Sequence, residues 1–219
     1  MRLLIAIKSC QRDLDNGCHE TIRQTWGRDV ENADLCFFVG RGKPSRVDEY
    51  ALDAPDDYDS LPWKTREILR WSLNMGYAFT FLCDTDTFII PRELMKTGFE
   101  SYDVCGKFCT GHPVGSPPFE YKDERGEYSG IYSWPSGGRG YFVSNKAAQI
   151  IIEQEPKVWA EDMYVGQVLG PRIESGEIKA AELKNFVGHI SWHYPRTHFQ
   201  IDYLAAWMKT MQTLHGVSK

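Results

Sequence analysis

The sharpest chemical signal is a pair of carboxylates one residue apart. Asp84-Thr-Asp86 closes the apolar run 78–83, at the point where a buried strand would leave the core. Hard oxygen donors at such an exit suit Mn²⁺ or Mg²⁺, and either ion can hold a diphosphate. An acidic turn after a strand has the same short pattern, so the pair alone leaves both readings open. Arg23 offers a guanidinium fork that matches phosphate, or a solvated helix arginine. Lys64 and Thr65 stand near the start of an expected helix, where free N–H groups and a cation favour anions. Gly137, Gly138 and Gly140, with Arg139 among them, would let backbone approach a ligand closely, or form only a turn. Asp162 opens another expected helix, as a cap or as a general base, with Glu161 as the next candidate. His193 suits a third metal ligand beside Asp84 and Asp86, with His189 and His198 as rivals.

These residues need a frame, and the chain supplies alternating strand and helix signals. Strands are expected at 2–8, 35–39, 78–83 and 87–90, and around Cys105. Helices are expected at 18–26, from a Ser60 cap with Pro62 just inside through Asn74, and at 91–98. Further helices are expected at 145–155 behind a Ser144 cap, at 161–169 before Gly170, and at 199–214. Such β-α-β order implies an α/β fold, with a mostly parallel twisted sheet, helices on both faces and ligands at the carboxyl ends of the strands. The stretch 111–132, rich in Pro, Gly and Tyr, is longer than an ordinary connection and reads as an acceptor loop or lid. No repeat or linker divides the chain. It is expected to be one domain over 1–219, with two functional halves, 1–100 and 101–219.

Composition bounds the alternatives. The 219 residues include 42% hydrophobic and 13% aromatic ones, ample for a core, and the formal charge of −5 writes no bulk attraction to nucleic acid. No apolar stretch approaches the length of a membrane span, and the first strand is too short for a signal segment. The six cysteines lack metal-ligand spacing, and Cys36, Cys83 and Cys105 fall in apolar strands. A soluble, reduced, cytoplasmic protein is the expectation.

Several segments together resemble the beta-1,3-galactosyltransferase and fringe-like family of inverting glycosyltransferases. They are Glu20-Thr-Ile-Arg-Gln-Thr-Trp-Gly27, Asp57-Tyr-Asp-Ser-Leu-Pro-Trp-Lys-Thr65, Asp84-Thr-Asp86, Pro135-Ser-Gly-Gly-Arg-Gly-Tyr-Phe-Val-Ser144, Glu161-Asp-Met-Tyr-Val-Gly166 and Ser191-Trp-His193. They follow the family's order and cover most of the chain. The resemblance implies a GT-A-like fold and transfer of a sugar from a UDP-linked donor to an acceptor hydroxyl on a glycan, a protein or a modified base. It also implies Mn²⁺ or Mg²⁺ on Asp84, Asp86 and His193, donor contacts from Arg23, Lys64, Thr65, Gly138 and Arg139, and Asp162 as the base. The chain departs from the pattern at Arg139, in a glycine-rich position, and in its cysteines. It also starts directly at the first strand where family members carry an anchor, so a bacterial or viral origin is expected. Two other readings compete: a haloacid-dehalogenase-type phosphatase with Asp84 as nucleophile, and a non-catalytic carbohydrate-binding relative.

Overall fold

The computed structural model describes residues 2–108, 110–186, 190–193 and 202–217. In chain order the elements are β1 (Leu3–Lys8), α1 (Gln11–Asp15), α2 (Cys18–Gln24), β2 (Asp34–Val39), β3 (Glu49–Ala51), α3 (Leu61–Asn74), β4 (Phe79–Asp84), β5 (Thr87–Ile89), α4 (Pro91–Leu94) and β6 (Val104–Gly106). They continue with β7 (Phe119–Asp123), β8 (Gly126–Ile131), β9 (Tyr141–Ser144), α5 (Asn145–Ile152), α6 (Glu161–Glu174), β10 (Ala180–Glu182), β11 (Ser191–His193) and α7 (Asp202–Val217).

Seven strands form one sheet in the order β10-β6-β9-β4-β1-β2-β3. Pairings within β3-β2-β1-β4 and between β10 and β6 are parallel, while β9 runs antiparallel to both β4 and β6. The expectation of a mostly parallel α/β sheet holds. Alternate residues of β1 feed two different cores, which explains why its run is apolar without interruption. Leu4 and Ala6 pack with Ile68 and Leu69 of α3, Ile151 of α5 and Val165 of α6. Leu3, Ile5 and Ile7 pack with Ile22 of α2, Trp26, Phe81 and Met211 of α7.

Local chemistry explains most boundaries. Pro62 stands in the first turn of α3, and the Ser144 hydroxyl accepts the Ala147 N–H to cap α5. Ser60 makes no such side-chain cap. The helix expected at 18–26 stops at Gln24 and passes into a 3₁₀ turn, and the one expected at 91–98 ends at Leu94. Helix α6 runs on through Gly170 and Pro171 to Glu174. Gly170 stays helical because it is a packing position: a Cβ there would lie 2.1 Å from Cγ of Tyr132. The stretch expected as a loop carries the β7–β8 hairpin. The terminal helix spans Asp202–Val217, and the expected start at 199–201 falls outside the described residues.

Candidate active site

Parallel pairing aligns the ends of β1 and β4, so Lys8 stands opposite Asp84. Because β9 returns antiparallel, with Tyr141 opposite Leu82, the Gly137–Arg139 turn that precedes it arrives at the same end of the sheet. The N-terminus of α6 brings Glu161 and Asp162 there as well.

Lys8, whose side chain is fully buried, joins these parts. Its ammonium donates to Glu161 Oε1 and lies 3.3 Å from Asp84 Oδ1. Burial would lower its pKa, but Asp84 and Glu161 outweigh burial and hold the ammonium protonated well above the ordinary lysine range. Glu161 also accepts the Tyr141 hydroxyl at 2.7 Å and the Thr65 hydroxyl at 3.3 Å, both on Oε2. With both oxygens engaged and only 5% of its surface exposed, Glu161 is a framework residue. The neighbouring glycine is required: a Cβ on Gly137 would lie 1.9 Å from Glu161 Oε1.

Asp162 differs. Its Oδ2 accepts the Gly137 N–H at 3.2 Å and its Oδ1 accepts the Met163 N–H at 2.8 Å, and it is half-buried. Burial, reinforced by the Glu161 charge, pushes its pKa from 3.8 up to about 7, against the pull of Gly137 N–H and Lys8. Asp162 is therefore a carboxyl that can exchange a proton near neutral pH.

The Asp84–Asp86 turn is anchored around its middle. The Asp84 N–H donates to the Thr87 hydroxyl at 3.2 Å, which in turn donates to Gly138 O at 2.8 Å, and the Thr85 hydroxyl donates to Asp13 Oδ2 of α1 at 2.7 Å. Asp84 keeps a quarter of its side chain accessible, whereas Asp86 is 2% exposed. Strand β11 pairs antiparallel with β5 and sets His193 opposite Thr87, next to this turn in register. His189 and His198 lie outside the described residues.

Not every expected donor contact converges. Arg23 donates two hydrogen bonds to Asp48 and one to Glu49, all at 2.7–2.8 Å, and stacks over Phe37. Lys64 bridges Ser9 O at 2.9 Å and Asp56 Oδ1 at 2.8 Å, clipping together the loops after β1 and β2, since Asp56 also accepts the N–H groups of Gln11 and Gly40. Thr65 reaches the centre through Glu161, Gly138 through Thr87, and Arg139 through its carbonyl, which accepts the Ser191 hydroxyl.

A buried relay beside β1 has no counterpart among the sequence-based expectations. Ser9 Oγ lies 2.7 Å from His19 Nε2, and His19 Nδ1 lies 3.1 Å from Glu49 Oε1. Despite burial, Arg23, the Ser45 N–H and His19 hold Glu49 down at about 2, so it accepts only, and His19 must donate from Nδ1. Burial keeps His19 neutral, so its Nε2 accepts the Ser9 hydroxyl proton. Lys8 was detectable as the single charge closing a continuous apolar strand. The relay had no such signal, because its members meet only through the fold.

Comparison with known proteins now bears on this geometry. A family model described as galactosyltransferase matches residues 19–173, well over half of the chain, including Asp84, Asp86, Asp162 and the glycine turn. The chain belongs to the galactosyltransferase family. No curated protein matches this galactosyltransferase-family chain. Solved structures similar to it include the inositol-1-phosphate CTP transferase from T. maritima, at 10% identity and TM-score 0.49, covering 96% of each chain. Another is 2-C-methyl-D-erythritol 4-phosphate cytidylyltransferase from Thermus thermophilus, at 8% identity and TM-score 0.48, covering 97% of this chain and 98% of the other. At such identities neither bears on the chemistry of this family member.

Proposed function

We propose that this glycosyltransferase is divalent-metal-dependent and inverting, moving a hexose or N-acetylhexosamine from a nucleotide diphosphate donor to an acceptor hydroxyl. The observation that carries the reading is the placement of Asp162, a carboxyl poised near neutrality, at the same sheet end as the Asp84 strand exit. UDP as the nucleotide rests on the family resemblance. The acceptor would be a glycan, a protein or a modified base.

In this mechanism Asp162 takes the proton from the acceptor hydroxyl as the oxygen attacks the anomeric carbon from the face opposite the diphosphate. One displacement inverts the configuration and needs no covalent sugar–enzyme intermediate. The Gly137 N–H fixes the carboxylate, and Lys8 holds Glu161 in place behind it. Asp84 and Asp86 offer hard oxygens at a strand end, with His193 adjacent in register. Among the described residues no three His, Cys, Asp or Glu side chains form a metal-binding group. A Mn²⁺ or Mg²⁺ bound there would neutralise charge growing on the departing diphosphate. Arg23 and Lys64, already engaged by carboxylates, act as supports of the crevice in this reading. Residues 1–100 form the donor half and 101–219 the acceptor half.

No helix among the described residues is long and apolar enough to cross a membrane. Among the described residues Cys10, Cys18, Cys36, Cys83 and Cys105 are free thiols, in keeping with a reducing, cytoplasmic setting. The phosphatase and binding-module alternatives give Asp162 no task. The test is UDP release from a panel of UDP-sugars with Mn²⁺, for the wild type and Asp162→Asn. Turnover should fall by about two to four orders of magnitude in the variant. Near-normal turnover would remove Asp162 from the mechanism.

A further inference from the structure

Arg139 gives its backbone carbonyl to the site and also lines a separate cleft. Three elements pin the turn through main-chain atoms: Gly137 N–H to Asp162 of α6, the Thr87 hydroxyl of β5 to Gly138 O, and the Ser191 hydroxyl of β11 to Arg139 O. With the turn fixed in this way, Arg139 lines an open cleft of about 780 Å³ together with Lys107, Phe108, His112, Pro113 and Glu182. That volume lies within the roughly 300–1,000 Å³ of small-molecule sites. Lys8, Asp84, Asp86 and Asp162 do not line it.

Among the described residues that line the cleft, the cations outnumber the carboxylates. Lys107 is ion-paired with Glu182 across it, so those two cancel. Arg139 is half-buried, and among the described residues no carboxylate lies within ion-pair distance of its guanidinium. A guanidinium partly removed from water, with no carboxylate beside it among the described residues, loses hydration, and a planar bidentate anion is a partner that would restore it. Apolar surface is also present. The imidazole of His112 stacks on Phe119 with centroids 3.8 Å apart, and Phe108 and Pro113 line the cleft beside it. A ring-shaped ligand with an apolar face and one acidic substituent would match both features.

We propose that this cleft binds an acidic saccharide acceptor, and that Arg139 reads its carboxylate or phosphate. The inference rests on the transferase reading for the word acceptor, but binding of the acidic group does not depend on turnover. Its test is retention of labelled protein on an array of matched acidic and neutral oligosaccharides, uronate-bearing and phosphorylated against uncharged, at physiological ionic strength. Wild-type protein should prefer the acidic members by about ten-fold or more, the usual scale for a hydrogen bond to a charged group. Arg139→Gln should erase the preference. Arg139→Lys, which keeps the charge without the fork, should retain part of it, and it carries the test if the glutamine variant melts early. Equal retention of neutral and acidic members, or no retention, would overturn the proposal. An anion could also come from the donor, and calorimetric titration of UDP with Mn²⁺ separates the two sources. If Arg139→Gln weakens UDP binding, the guanidinium belongs to the donor diphosphate and the proposal falls. Loss of acidic preference with intact Mn²⁺-dependent UDP release would strike this proposal alone. Absent UDP release with the preference retained would strike the transferase reading instead.

Discussion

At the scale of single residues, Asp162 and Lys8 carry the account. A base whose pKa is pushed up to about 7 should give a kcat/KM that climbs with pH from 6 and levels off near 8. The same shift has a stability signature. The folded pKa of Asp162 lies above its ordinary 3.8, so the folded state binds the extra proton between those values. Stability from this group is therefore present below about pH 4 and lost as pH rises towards 7. Asp162→Asn cannot ionise, so its stability relative to wild type should increase between pH 5 and pH 8, by an amount on the order of 1 kcal/mol or more, with a matching rise in relative melting temperature. A difference independent of pH, read by thermal melts at both values, would mean that Asp162 is not destabilised by its charge. Lys8→Met should lose about 3–5 kcal/mol in denaturant melts, because it leaves Glu161 and Asp84 without their buried cation. A loss below about 1 kcal/mol would show that water readily replaces the ammonium.

At the scale of elements, the glycine turn and the hairpin can be tested separately. Gly140 has φ +81°, and a Cβ there would lie 2.3 Å from Phe81 Cζ. Gly140→Ala should therefore cost at least about 2 kcal/mol by denaturant titration, combining left-handed strain with overpacking. A neutral result would mean that β4 and β9 can shift apart there. Arg125 ties the β7–β8 hairpin to the rest of the molecule, lying 4.2 Å over the Trp159 ring and ion-paired to Asp59, while Trp159 donates to the Tyr128 hydroxyl. Arg125→Ala should speed amide exchange across 119–131 with little change in the global melt, and uniform exchange rates would place the anchor elsewhere. The sequence revealed the elements that have strong periodicity or punctuation, such as β1, α3 behind Pro62, β4 and α5 behind Ser144. It did not reveal α1, with five residues, or β3, with three, because neither is long enough to show a period. The end of α6 was misread because Gly170 looked like a stop, although it is glycine to make room for Tyr132. The carboxylates Asp84 and Asp162 stood out in the sequence. The ion pairing of Lys8 and the engagement of Arg23 by Asp48 and Glu49 depend on strand order, which local pattern does not encode.

At the scale of the whole molecule, one sheet with a core on each face presents its strand exits and the α6 N-terminus at one end, and that arrangement is what a sugar transfer would use. The same cores bury thiols: burial pushes Cys36 and Cys105 up to about 12 and raises Cys83 as well. Native protein isolated without reductant should react slowly with a thiol reagent, and denatured protein should show at least five free thiols. Two or more bridges would contradict the reducing setting. The central claim is metal-dependent transfer with inversion, and one measurement addresses it directly. The UDP-α-sugar that shows turnover is incubated with Mn²⁺ and acceptor, and the anomeric proton coupling of the product is read by NMR. The account predicts a β-linked product that disappears in excess chelator. An α-linked product, or full turnover in chelator, would contradict it.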